Sequence, residues 1–294
     1  MIRPEAIPLA GVEIISNGIR PKVRGRSVLG QRVHFGAERF VQALHAQFVL
    51  LNFPAAIVPV RIRRPMCDLS VGCFPQVADG LRGLARLHSR YWGFTASSHP
   101  EPDWVETWAP TEGWQFGLRK HVPRGLERGG DSLPQVIRSM TGDEVVAIWS
   151  RYVSTLAQGP VTLLHGDAHI GNTYVLPQGG VGFLDWQVAR RGGWSQDVGY
   201  FLIGALTEKD RRGHERELLE IYRNSLTVPD DQRPSAEDAW LIYRATPSYG
   251  LGIWLSTLGT DGYQRFEVSL ALAERFACAF VELDTLAALA EIDA

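Results

Sequence analysis

Lysine is scarce in this sequence. Only Lys22, Lys120 and Lys209 occur among the 30 basic residues, so arginine supplies the other 27. The basic residues are nearly balanced by 32 acidic ones, and the formal net charge is −2. A chain without a strong charge of either sign has no electrostatic reason to bind nucleic acid or an anionic membrane surface. We therefore expect neither partner.

Long apolar runs and paired cysteines are also lacking. The longest apolar run, Phe48 to Val60, is interrupted by an asparagine and two prolines and is too short to span a bilayer. The first 11 residues contain two charged residues and two prolines, with no apolar core of signal-peptide length. Cys67, Cys73 and Cys278 match no zinc or redox spacing. We expect a cytoplasmic protein with reduced thiols.

The composition is that of an ordinary globular protein. Hydrophobic residues make up 45% of the 294 residues and charged residues 21%, which is enough apolar material for a large core. Residues 1–75 show no clear pattern, whereas residues 76–294 carry strong helical periodicity around one β hairpin. The sequence therefore predicts an α+β fold with a small, irregular N-terminal part and a large, mostly helical C-terminal part.

Apolar residues three and four positions apart predict the helices, and short apolar segments predict the strands. The predicted helices lie at 75–91, 143–156, 196–206, 215–226, 236–244, 249–258 and 265–289. The predicted strands lie at 161–164, 173–176 and 181–184, and a glycine-containing turn joins the last two into a hairpin.

The segment between the first two predicted strands carries the residues suited to chemistry. It places His165, Asp167, His169 and Asn172 in a glycine-bearing loop, and Asp185 ends the second hairpin strand. Asn172 follows Asp167 by five positions and Asp185 follows it by eighteen. Loops held by strands at both ends are where catalytic groups can be positioned accurately.

This spacing resembles the kinase catalytic loop H-x-D-x-x-x-x-N followed by a metal-binding aspartate after a hairpin. The form His165-Gly-Asp167 with Asp185-Trp186 resembles the aminoglycoside phosphotransferase and choline kinase-like family, and Asp197 lies where that family has an aspartate opening the next helix. The resemblance covers about residues 75–290. It implies a protein-kinase-like fold with a nucleotide-binding lobe over residues 1–75 and a catalytic, acceptor-binding lobe over residues 76–294.

The resemblance also implies roles for single residues. Asp167 would be the base that accepts a proton from a substrate hydroxyl, while Asn172 and Asp185 would hold Mg²⁺ bound to ATP or GTP. The expected product is a phosphorylated small molecule. Three further residues would support the catalytic loop: His165, His169 and Asp197.

The N-terminal part departs from the family pattern. Kinases pair a strand lysine with a helix glutamate, and the candidates here are Lys22, which follows a proline, and Glu38. The glycines at 18, 25 and 30 do not form the glycine-rich loop G-x-G-x-x-G. The sequence therefore leaves open a pseudokinase-type binding protein that kept the catalytic loop but lost a working nucleotide lobe.

Two further alternatives concern metal and substrate. His165 and His169 could instead be zinc ligands of a metallohydrolase, although that leaves Asn172 and Asp185 without a role. From Ser195 onward, 17 acidic residues stand against 9 basic ones. This acidic balance suits a cationic or amino-bearing alcohol as the acceptor, and it equally suits an ordinary solvated helical surface.

Overall fold

The computed structural model describes residues 74–100, 102–175 and 180–293. The helices in this part of the chain are α1 (Phe74–Arg90), α2 (Glu112–Gly129), α3 (Gln135–Arg138), α4 (Gly142–Thr155), α5 (Ser195–Ala205), α6 (Glu208–Ser225), α7 (Ala236–Ala245), α8 (Pro247–Leu258), α9 (Phe266–Glu282) and α10 (Thr285–Ile292). The strands are β1 (Val161–Leu164), β2 (Thr173–Val175), β3 (Val181–Phe183) and β4 (Arg190–Gly193). Short 3₁₀ helices span Gly130–Ser132 and Ile170–Asn172. No helix in the described ranges has the length and hydropathy needed to cross a bilayer.

The strands form two small antiparallel sheets. β1 pairs with β4, with Val161 opposite Gly193, and β2 pairs with β3, with Thr173 opposite Phe183. The loop between β1 and β2 therefore begins in one sheet and ends in the other. Because both ends are hydrogen-bonded, the loop has little freedom to move as a unit.

The helices surround a single apolar core. α8 packs most extensively against α2 and α9, and α1 packs against α6. Every residue of α5 is buried, which agrees with the apolar and small residues that follow Gln196 and Asp197 at its start. Large buried side chains such as Trp149, Tyr152 and Phe276 fill the space between these helices. The α+β class predicted from the sequence is confirmed.

Some helix starts follow directly from capping residues. Ser235 accepts a hydrogen bond from the Asp238 N–H at 3.0 Å and thereby caps the start of α7. Thr141 and Glu144 form a reciprocal capping box at the start of α4. These bonds satisfy backbone N–H groups that have no partner inside the helix.

The structure corrects several sequence predictions. α2 and β4 were not predicted, since α2 contains four glycines and a proline and β4 reads Arg-Arg-Gly-Gly. α6 begins at Glu208, seven residues before the predicted start. The prediction missed these residues because the first two turns of the helix are almost entirely charged. The single helix predicted for 265–289 is wrong: Asp284 adopts a φ of 49° and separates α9 from α10. Lys22 and Glu38, with the whole predicted N-terminal lobe up to residue 73, lie outside the described residues.

Candidate active site

A buried aspartate holds the loop that follows β1. Asp197 lies in the first turn of α5 and has no exposed surface. Its Oδ2 accepts a hydrogen bond from the His165 N–H at 2.6 Å, and its Oδ1 accepts one from the Gly166 N–H at 2.9 Å. Bonds from backbone N–H groups to a carboxylate are strong, so Asp197 fixes the path of the main chain at the start of the loop.

The same carboxylate is tied to two other helices. His88 of α1 places Nε2 3.3 Å from Asp197 Oδ2, and its Nδ1 lies 2.7 Å from the Tyr222 hydroxyl of α6. Burial raises the pKa of Tyr222 well above its usual value, so the phenol stays protonated. A carboxylate oxygen only accepts, so the His88 Nε2–H donates to Asp197. The loop is thus anchored to α1, α5 and α6 together.

Gly166 occupies the tightest place in the loop. Its φ is 84°, and a Cβ added there would overlap the carbonyl oxygen of Val188. Its own carbonyl oxygen accepts hydrogen bonds from Gln196 Nε2 at 3.2 Å and from the Tyr249 hydroxyl at 3.3 Å. Only glycine combines this backbone conformation with this close approach.

His165 is fully engaged inside the loop. Its Nδ1 accepts a hydrogen bond from the Asp167 N–H at 3.2 Å, and its Nε2 donates to the Leu184 carbonyl oxygen at 2.9 Å. The ring packs on Trp186 with a centroid distance of 4.5 Å. Because both ring nitrogens are occupied, His165 has none available for a zinc ion, and the metallohydrolase alternative loses one of its two proposed ligands.

Asp167 and Asn172 form the centre of the site. The Asn172 amide Nδ2 donates to the Asp167 carbonyl oxygen and to Asp167 Oδ2, both at 3.0 Å. Because the amide nitrogen makes both of these bonds, the side-chain oxygen Oδ1 of Asn172 is the atom available to a cation. The Asp167 side chain is 33% exposed, so it is held by the loop and still open to a ligand.

His169 lies on the other side of the Asp167 carboxylate. Its Nδ1 accepts from the Gly171 N–H at 3.0 Å, and its Nε2 is 3.7 Å from Asp167 Oδ2. Burial lowers the pKa of His169, and the nearby Asp167 charge opposes this only in part. The ring is therefore neutral near pH 7, with its proton on Nε2 facing Oδ2. Asn172 and His169 both face Oδ2, which leaves Asp167 Oδ1 as the oxygen that a ligand can approach.

Asp185 follows β3 on an exposed turn. The Leu184 N–H donates to the Asn172 carbonyl oxygen at 2.9 Å, so the β2–β3 pairing continues by one residue, to the residue directly before Asp185. Asp185 has a φ of 64°, a strained conformation of the kind found at functional sites. No group of three or more His, Cys, Asp or Glu side chains in the described residues could hold a metal ion. One carboxylate and one amide oxygen nevertheless fit Mg²⁺, which takes its remaining ligands from phosphates and water.

A cavity of about 670 Å³ opens above Asp167. Helices α2 and α8 form much of its wall, and Gly166 and His169 lie at its catalytic end. The aromatic lining residues are Trp108, Trp114, Tyr200, Tyr249, Trp254 and Tyr263. Burial raises the pKa of Tyr200 and Tyr249 well above the usual value, so both phenols stay neutral. The cavity therefore joins the Asp167 carboxyl group to a largely aromatic wall.

Comparison with known proteins identifies the family. Residues 48–236 match the sequence model of the phosphotransferase enzyme family, APH, which covers more than half of the chain. The chain belongs to this family. Its kinase-like α+β class, which the loop motif predicted, is thereby confirmed.

Several solved structures are similar at low identity, whereas no curated protein matches the chain in sequence. A choline/ethanolamine kinase family protein from Mesorhizobium loti is 17% identical with a TM-score of 0.47, and the match covers 87% of this chain and 84% of that one. Choline kinase LicA from Streptococcus pneumoniae is 12% identical with a TM-score of 0.42, covering 84% and 83%. The aminoglycoside phosphotransferase APH(3'')-Id from Streptomyces rimosus is 19% identical with a TM-score of 0.35, covering 53% of this chain and only 57% of that enzyme. Because each TM-score lies below 0.5, the family assignment rests on the sequence model.

In this member of the phosphotransferase family, the structure gathers most of the residues singled out from the sequence. The backbone N–H groups of His165 and Gly166 meet the Asp197 carboxylate, and Asn172 meets Asp167. Lys22 and Glu38 lie outside the described residues, so the nucleotide end of the site stays a prediction.

Large aromatic residues usually pack in the core, so the sequence favours core packing over a pocket wall for the tryptophans. Trp108 and Trp114 line the cavity all the same, and Trp108 is buried to the same degree as Trp194. Trp254 was placed on a predicted helix without a role. The available signal was the segment Glu-Gly-Trp-Gln-Phe-Gly at 112–117, whose two glycines are spaced four apart in a helix and stand out as poor helix formers.

Proposed function

We propose that this protein transfers the γ-phosphoryl group of ATP or GTP to a hydroxyl group of a small molecule. The acceptor oxygen forms a bond to the γ-phosphorus while the bond from that phosphorus to the bridging oxygen of the diphosphate breaks. The hydroxyl proton moves to the Asp167 carboxylate, and the nucleoside diphosphate leaves.

The position of Asp167 carries this proposal. Its carboxylate lines the cavity, Oδ2 accepts from Asn172, and His169 Nε2 lies 3.7 Å away from the same oxygen. A hydroxyl in the cavity can therefore approach Oδ1 without displacing a protein donor. Binding in this way holds and orients the acceptor, so that much of the entropy loss needed for the reaction occurs before the chemical step.

The nucleotide phosphates would lie beside the hairpin. Asn172 and Asp185 would hold Mg²⁺ there, and the ion would neutralise negative charge on the phosphates. Asp197 contributes by keeping the backbone of residues 165 and 166 in place. The cavity volume of about 670 Å³ suits an acceptor of the size of a drug or a metabolite.

Substitution of the base tests the catalytic step. Asp167→Asn keeps the size of the side chain but removes its ability to accept a proton, so phosphoryl transfer should fall by about 10²–10⁴-fold. The measurement is release of nucleoside diphosphate from Mg²⁺-ATP in the presence of a panel of small alcohols. Asp230→Asn, at a residue whose side chain is 93% exposed, is the matched control and should leave the rate unchanged. Equal rates for wild type and Asp167→Asn would contradict the proposal.

Thermal unfolding tests the nucleotide site separately. Mg²⁺-ATP at a hundred times its dissociation constant should stabilise the fold by about 2.7 kcal/mol, or several degrees. The shift should persist in Asp167→Asn and disappear in Asp185→Ala. Absence of any shift in wild type at every nucleotide concentration would favour the pseudokinase-type binding protein instead.

A further inference from the structure

Two glycines of α2 line the cavity without packing against another described residue. Gly113 and Gly117 lie one turn apart. A Cβ added at either position would meet no atom of the described residues within 4 Å. Glycine in a helix interior is less stable than alanine by about 1 kcal/mol, so the fold alone would favour a side chain at Gly117. Gly113 lies in the first turn of the helix.

The other two glycines of the same helix show the contrast. A Cβ at Gly125 would overlap the backbone of Leu255 in α8, and a Cβ at Gly129 would overlap the side chain of Leu133. Close packing requires those two glycines. The pair at the cavity end of α2 instead exposes bare helix backbone to the space that a ligand would occupy.

The charge of the cavity limits what that ligand can be. Among the described lining residues, Asp167 is the one carboxylate, and none is a lysine or arginine. Aromatic side chains line the same cavity, including the half-buried Trp114 of α2 and the buried Trp254 of α8. Flat rings pack well against a partly exposed aromatic side chain such as Trp114, and a single carboxylate can compensate one positive charge but not several.

We propose that Gly113 and Gly117 determine acceptor specificity. Resting on the proposed function, the acceptor is a hydroxyl compound that carries a flat ring and at most one positive charge. The ring lies against the bare backbone of α2 while the hydroxyl reaches Asp167. A polycationic acceptor does not match this cavity.

Filling the space at Gly117 tests the proposal. Leucine is a good helix former and places a bulky side chain where the ring would lie, so Gly117→Leu should weaken binding of ring-bearing alcohols at least about tenfold. Gly213→Leu is the matched control, because Gly213 lies inside α6, is exposed, and also has open space around an added Cβ. It should leave binding unchanged.

Binding is measured by calorimetry without nucleotide, so the result does not depend on phosphoryl transfer. The ring-bearing probes are phenyl β-D-glucoside and pyridoxine, and the comparison compounds are choline and the polycation kanamycin. We expect a ring-bearing probe to bind wild type more tightly than kanamycin does, and to lose affinity in Gly117→Leu alone.

Three results would overturn the proposal: no binding of either ring-bearing probe, tighter binding of kanamycin, or equal affinities in the two leucine variants. None of these would decide whether the protein is a phosphotransferase, which the Asp167→Asn experiment tests independently.

Discussion

Gly166 and Gly117 line the same cavity for opposite reasons. At Gly166 the backbone has a φ of 84° and a Cβ would overlap the Val188 carbonyl oxygen, whereas at Gly117 a Cβ would meet nothing within 4 Å in the part of the chain that the structure describes. The protein itself requires the first glycine. The second is explained by what the cavity would hold. The backbone at the proposed catalytic end of the site is therefore fixed by contacts within the protein. The space at the proposed acceptor end is not filled by such contacts among the described residues.

Polar contacts show the same difference between the two ends. At the catalytic end, the Gly166 N–H and carbonyl oxygen are both hydrogen-bonded, and Asp197 is satisfied by donors from His165, Gly166 and His88. At the acceptor end the cavity wall is mainly aromatic, and few hydrogen bonds within the described ranges fix the orientation of its side chains. Substitutions at the first end should damage the fold, and substitutions at the second should change ligand preference.

The largest effect is expected at Gly166. Gly166→Ala introduces both an unfavourable φ and a clash with backbone, so it should lower the free energy of unfolding by about 3 kcal/mol. Denaturant unfolding measures this loss. Gly93→Ala is the control, since Gly93 has a φ of 63° but open space around an added Cβ, and it should lose only about 1 kcal/mol. Equal losses at the two positions would show that the contact with Val188 is unimportant.

A somewhat smaller loss is expected at Asp197. Asp197→Asn removes the charge and turns an N–H₂ group toward one of the two backbone donors, the N–H of His165 or that of Gly166, which should lower the free energy of unfolding by about 2 kcal/mol. Phosphoryl transfer should fall as well, because the loop that positions Asp167 loses its anchor. Tyr222→Phe, which removes only the outer hydrogen bond to His88, should cost about 1 kcal/mol. A larger loss in Tyr222→Phe than in Asp197→Asn would contradict the central role of the carboxylate.

The smallest effect has the opposite sign. Gly117→Ala should raise the free energy of unfolding by about 0.5 kcal/mol, since alanine reduces the freedom of the unfolded chain and fits the helix. Gly213→Ala in α6 should gain a similar amount. Destabilisation by Gly117→Ala alone would mean that the glycine serves protein packing after all, and would remove the contrast with Gly166.

The two ends also differed in how well sequence predicted them. The catalytic loop is a continuous segment, and the spacing of Asp167, Asn172 and Asp185 survives in the sequence as a recognisable pattern. The wall of the cavity joins α2 to α8, whose residues are more than a hundred positions apart, and no local pattern records that contact. α2 itself was missed because its glycines, including Gly117, and Pro123 oppose the helical signal.

The missed strand β4 and the missed break between α9 and α10 have local causes. β4 has little β propensity and forms because β1 offers it a partner, with Leu164 opposite Arg190. The break at Asp284 is a single left-handed residue inside an otherwise continuous apolar stripe, which periodicity does not detect.

The hydrogen bonds of His88 also set an order of assembly. His88 is joined to Asp197 across 109 positions and to Tyr222 across 134. Closing loops of this length costs conformational entropy, because the intervening chain must be brought together. During synthesis the catalytic loop emerges before Asp197 and well before Tyr222. The complete anchor of the loop can therefore form only after residue 222 has been made.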